Sequence, residues 1–168
     1  MESTDLKSIQ APLKARYRVE PQSALVTLRA SGSIGDGVSC SVDTGRAIAK
    51  AGLHPASGGS GAELCSGDML LEALVACAGV TLNAVATSLG LAIRDARVTA
   101  EGDIDFRGTL GVDKQAPVGF TDIRLKFELE TDAPQDQLDT LLKLTERYCV
   151  VLQSLRRSPK TEAKLVRA

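Results

Sequence analysis

The sequence predicts an α+β domain, and three observations carry that expectation. Residues 69–86 are an apolar run within a segment of helical length, residues 120–130 alternate apolar and charged side chains as a half-buried strand does, and residues 14–43 alternate between short turn signals. One thiol stands in the middle of the apolar run: Cys77.

Taken in order, residues 1–13 read as a flexible leader, and residues 14–168 as a single domain. From Lys14 the chain alternates, with Ala15, Tyr17 and Val19 on one side and Arg16, Arg18 and Glu20 on the other. Pro21–Ser23 reads as a turn, Ala24–Ala30 as a second strand, and Ser31–Gly37 as a glycine-rich turn. Val38, Cys40 and Val42 then point inward from a third strand, so the chain opens as an antiparallel meander. The stretch His54–Gly61 sustains neither helix nor strand and reads as an ordered loop.

Ser66 fits the cap of the apolar helix, Asp68 complements the dipole in its first turn, and Gly90 stops it. Twenty-four residues make a rod of roughly 36 Å. A helix apolar on every side must be covered on every side. One short chain hardly suffices, so the pattern hints at an intertwined oligomer. Ala92–Phe106 reads as a long strand and Gly108–Pro117 as a loop. Phe120–Glu130 is a strand with Ile123, Leu125, Phe127 and Leu129 inward. Asp132 is a candidate cap and Pro134 a first-turn residue of the next helix, whose inner stripe is Leu138, Leu141, Leu142 and Thr145. Ser158-Pro159 breaks the last helix, and Thr161–Val166 is expected to close the sheet.

Composition narrows the function. Aromatic residues are 3% of the chain with no Trp, which argues against a base-stacking surface. The net charge is −1 without a basic run, which argues against a phosphate-backbone footprint, so no nucleic-acid partner is expected. Glu72, Gly79 and Asn83 interrupt the apolar run and no Lys or Arg flanks it, so a core helix is favoured over a membrane span. The N-terminus has no apolar h-region. Four cysteines without a secretory signal point to a reducing, cytoplasmic compartment. A single histidine, His54, makes a multi-histidine metal site or a Ser-His-Asp triad improbable, and it reads as a loop histidine bonded to backbone. The Gly58–Gly61 run lacks the spacing and lysine of a phosphate loop. No metal and no cofactor is expected.

The thiols are the remaining chemistry. Cys40 reads as a small core hydrophobe. Cys65 precedes the helix cap and reads as a staple against Leu70, with a redox role as the alternative. Cys77 alone would also be core. Cys149 stands just before Val150–Arg157, where unpaired backbone N–H groups stabilise a thiolate, and Arg147 is near in sequence.

Three segments carry a resemblance. Ser66–Leu82, Phe106–Asp113 with Val118–Ile123, and Glu146–Val151 resemble, in that order, segments of the OsmC/Ohr proteins, the osmotically inducible and organic-hydroperoxide-resistance group. The likeness covers roughly residues 24–166. It implies an OsmC-like α+β fold, with antiparallel sheets around two central helices, and an intertwined homodimer. It matches Cys77 and Cys149 to the two reactive cysteines of the family. The implied activity is reduction of organic hydroperoxides, and possibly of hydrogen peroxide, by a thiolate that becomes a sulfenic acid, condenses with the second thiol and is reset by an external dithiol. The resemblance assigns the attack to Cys77, whereas the helix start after Cys149 argues for Cys149; we follow the resemblance.

The chain also departs from the family pattern. Peroxidase members carry a Glu ten residues before the first cysteine; here Gly67 holds that place, with Asp68 beside it. They also use an Arg from the early strands, for which Arg29 and Arg46 are candidates. Val150 follows Cys149 where proline is common. These departures motivate an alternative, a non-catalytic OsmC-like protein that binds a small molecule or serves in stress response.

Overall fold

The computed structural model describes residues 3–35, 39–42, 51–62 and 64–167. Its centre is a four-stranded antiparallel sheet in the order β2-β1-β5-β6, built from β1 (Leu25–Gly35), β2 (Ser39–Val42), β5 (Asp95–Asp105) and β6 (Phe120–Glu130). Two short strands, β3 (Ala51–Gly52) and β4 (Leu64–Cys65), pair in parallel and lead into helix α2 (Ser66–Leu89). Helix α1 (Ser3–Val19) precedes the sheet. A single turn, α3 (Phe106–Thr109), follows β5, and α4 (Gln135–Tyr148) and α5 (Val150–Arg156) follow β6.

The period-2 pattern decides which face of the sheet is covered. On β5, Ala96, Val98 and Ala100 are buried; Val98 and Ala100 meet Leu71, Leu74, Val75 and Ala78 of α2, and Ala96 clusters with Leu82, Val85 and Ala86. The intervening side chains point away and form a polar outer face, where Arg29 pairs with Glu101 and Arg124 with Asp103. Gly102 has no side chain because the Phe120 ring lies over it; a Cβ there would stand 2.4 Å from a ring carbon. Farther along α2, Leu82, Val85 and Ala86 join Leu141 of α4 in a second cluster. Gly90 ends α2 in the left-handed conformation at φ +68, as its position predicts.

The helix α2 is long and apolar enough to cross a membrane by length and composition. Here it packs along the sheet, α4 and α5, as the core reading requires. One stripe stays open: Leu70, Ala73, Val80 and Ala84 are exposed at helical spacing, with half-buried Cys77 among them.

Several local expectations are corrected. Residues 14–20 are not a strand, and residues 3–13 are part of the same helix, α1. Only Tyr17 of the alternating set is buried; it packs with Leu13, one helical turn back, and its hydroxyl donates to the Ala56 carbonyl at 2.8 Å. Thr161–Val166 forms no strand and is exposed. The cap of α2 is Cys65, without a side-chain bond, and Ser66 is already helical. Asp132 does not cap α4; it pairs with Arg94, and Pro134 holds the cap position. The turn expected at Ser31–Gly37 is strand β1 as far as Gly35, and Val38 lies outside the described residues. Of the inner stripe of α4, Leu141 and Thr145 are buried while Leu142 is exposed.

Thr145 carries a cost. Its hydroxyl is fully buried and is the one buried side-chain polar atom among the described residues without a hydrogen-bond partner. Removing an unsatisfied buried hydroxyl while keeping the shape of the side chain relieves that cost. Thr145→Val is therefore expected to stabilise the fold by about 1 kcal/mol, read as a higher urea midpoint at unchanged slope. A lower midpoint would mean the hydroxyl has a partner.

Candidate active site

Cys77 is positioned by the middle of α2, where Leu74, Val75 and Ala78 tie the helix to the sheet. Cys149 is positioned by a break between two helices. Its backbone is extended, at φ −68 and ψ 105. Its N–H donates to the Thr145 carbonyl at 2.9 Å and closes α4, while its carbonyl accepts from Gln153 at 2.9 Å and opens α5. The break leaves the first amides of α5 without helical partners. Cys149 is fully buried, Cys77 half-buried, and both are free thiols.

The break brings the two sulfurs together. Cys77 and Cys149 lie close enough for each thiol to shift the other's ionisation, although 72 residues separate them. The amides of Val150 and Val151 also face Cys77, and so does the Thr81 hydroxyl. Burial pushes the Cys77 thiol up, but the Val151 amide, the Cys149 thiol, the Val150 amide and the Thr81 hydroxyl together outweigh it and hold Cys77 below the usual thiol value. Cys149 moves the other way, pushed up to about 11, by burial first and then by its proximity to Cys77. In this pair Cys149 is the thiol that keeps its proton. The α5 amides were expected to serve Cys149. The amides are shared: those of Leu152 and Val151 act on Cys149, where burial outweighs them, and those of Val151 and Val150 act on Cys77.

Two clefts flank the pair. One, of about 500 Å³, runs between α2 and α4 and begins one turn beyond Cys77, with Val80, Thr81, Ala84, Leu144 and Tyr148 among its walls. The other, of about 420 Å³, lies between β6 and the α4–α5 segment and reaches Leu152, which packs with Cys149. The ion pair of Arg156 and Glu146, 2.7 Å apart, lines it.

The remaining candidates sit elsewhere in the chain. Asp68 is nine residues before Cys77, half a revolution round α2 and ~14 Å along it. Its carboxyl is raised by burial, an effect His54 partly offsets. Arg29 is on the outer face of the sheet, paired with Glu101 at 2.7 Å, so within one chain the sheet stands between it and α2. Arg46 lies outside the described residues. Arg147 is exposed and lies over the Tyr148 ring, 5.6 Å from its centre. Cys65 packs half-buried against the main core cluster, ~18 Å along the axis from Cys77. Cys40 lies in β2. His54 is the loop histidine expected: its Nδ1 accepts from the Ala56 amide at 3.0 Å, and its ring stacks on Phe106.

Thr81 and the two valine amides were missed in the sequence. Thr81 had a readable signal, since it stands four residues after Cys77 on the same helical face. The amides had none, because the direction in which α5 points depends on tertiary packing.

Comparison with known proteins agrees with the fold. The family model described as OsmC-like protein matches residues 59–164. The crystal structure of an OsmC-like hydroperoxide resistance protein from Jannaschia sp. CCS1 superimposes with a TM-score of 0.62 at 15% identity, covering 85% of this chain and 94% of that one. No curated protein matches.

Proposed function

Because the chain belongs to the OsmC-like protein family, we propose that it is a thiol-dependent peroxidase acting on organic hydroperoxides, with Cys77 attacking and Cys149 resolving. The observation that carries this reading is the meeting of two free thiols from distant parts of the chain, of which the half-buried one is favoured as thiolate. The Cys77 thiolate attacks the outer oxygen of ROOH; the O–O bond breaks, and the alkoxide takes a proton from solvent and leaves as ROH. Cys77 is then a sulfenic acid. The sulfur of Cys149 displaces its hydroxyl, which departs as water with the Cys149 proton, and a disulfide remains. An external dithiol reduces that disulfide by exchange. The apolar walls of the α2–α4 cleft favour organic over hydrogen peroxide.

The open stripe of α2 supports a homodimer, since a second copy laying its own apolar face there would complete the cover that one chain leaves unfinished. A reducing, cytoplasmic setting suits a cycle that starts from two free thiols.

A second reading keeps the fold without the chemistry, as a small-molecule-binding protein. Gly67 in place of the Glu, and the separation of Asp68 and Arg29 from the thiols, favour it. Peptide mass spectrometry after a stoichiometric dose of cumene hydroperoxide separates the two. We expect a Cys77–Cys149 disulfide in most of the protein; two unmodified thiols would overturn the peroxidase in favour of binding.

A further inference from the structure

Thr81 stands one turn beyond Cys77, and helical side chains lean toward the N-terminus, so its hydroxyl is aimed back at the Cys77 turn. It donates to the Cys77 carbonyl at 2.7 Å. The same hydroxyl is within reach of the Cys77 sulfur and favours its ionised form. Thr81 is half-buried at the Cys77 end of the α2–α4 cleft.

The bond to the carbonyl is ordinary helical chemistry. Thr87 makes it to Asn83 at 2.8 Å, and Thr140 makes it to Asp136 at 2.9 Å. The sulfur sets Thr81 apart. The Cys77 carbonyl is already an acceptor in the helix, so the hydroxyl proton is not needed there. A thiolate within reach is the stronger acceptor, and charge-assisted bonds are roughly twice as strong as neutral ones. Turning the proton from one acceptor to the other needs only rotation of the O–H.

We propose that Thr81 is a positioning residue for Cys77: its hydroxyl gives its proton to the carbonyl while the sulfur is protonated and to the sulfur once it is ionised, holding the thiolate one helical turn from the α2–α4 cleft that Thr81 lines. The assignment supplies a donor that the displaced Asp68 and Arg29 do not. Its consequence for turnover rests on the peroxidase reading, whereas its effect on the thiolate does not.

The test is the pH profile of Cys77 alkylation by iodoacetamide in the full chain, resolved by peptide mass spectrometry. In Thr81→Val we expect the midpoint to rise by a few tenths of a pH unit, and labelling at pH 7 to slow about twofold. Thr81→Ser should restore the original profile. Thr87→Val, which loses an equivalent helical bond away from any thiol, should leave it unchanged. If Thr81→Val does not fold, Thr81→Ala carries the same comparison. A wild-type profile in the hydroxyl-less variant, no rescue by serine, or an equal shift in Thr87→Val would each overturn the assignment. A shifted profile in a protein that turns over no cumene hydroperoxide would uphold Thr81 and remove the peroxidase.

Discussion

Cys77→Ser is expected to lower dithiol-dependent turnover of cumene hydroperoxide by more than about a thousandfold, with the fold retained. The substitution exchanges one heavy atom in a half-buried position of α2, so the packing of Leu74 and Ala78 against the sheet survives. The loss is chemical. The surroundings of Cys77 supply two amides, a thiol and a hydroxyl, enough to favour a thiolate but far short of ionising an alcohol at neutral pH. Without that anion nothing attacks the peroxide oxygen, and the remaining thiol, Cys149, is fully buried, which itself opposes its ionisation. Turnover unchanged in the variant would end the two-cysteine mechanism outright.

Leu74→Ala is the largest effect expected on the fold, a loss of ~3 kcal/mol. Leu74 is fully buried in the cluster that joins α2 to β5 and to Cys149. Truncation removes transfer energy and leaves a cavity that the surrounding Val75, Val98 and Leu152 fill only partly. Single domains have only about 5–15 kcal/mol in hand, so this is a large fraction. Urea unfolding reads it as a fall in midpoint; a loss below about 1 kcal/mol would mean that Leu74 is not a core contact.

How far the sequence was legible depended on whether local pattern and tertiary packing agreed. Strand β6 was readable to the residue, because strict alternation, with Ile123, Leu125, Phe127 and Leu129 on one side, has a single solution against a covered face. Helix α2 was readable because Gly90 fixes its end and its apolar length excludes a strand. Helix α1 was misread: a window of seven residues with Tyr17 between apolar neighbours fits a period of 2 as easily as a helix. Only contact with Ala56, far along the chain, decides it. The pair Cys77 and Cys149 came from resemblance, since spacing says nothing about distance. The direction of the α5 amides came from neither; it follows from the way Cys149 bends the chain between two helices.

Strand β6 also has a consequence outside the site. Among the described residues it is the end of the sheet, with eleven residues and no partner on its outer side. In its inner row, Phe127 and Leu129 pack in the cluster of Leu141 from α4, and Ile123 and Leu125 in the cluster of Leu152 from α5, while Arg124, Lys126, Glu128 and Glu130 guard the other row. Such charges hinder edge-to-edge growth of β-structure between molecules. Detachment of the α4–α5 arm would uncover a β-prone segment whose alternating charges are then the remaining gatekeepers, making that arm a guard against fibrillar self-association as well as the carrier of Cys149.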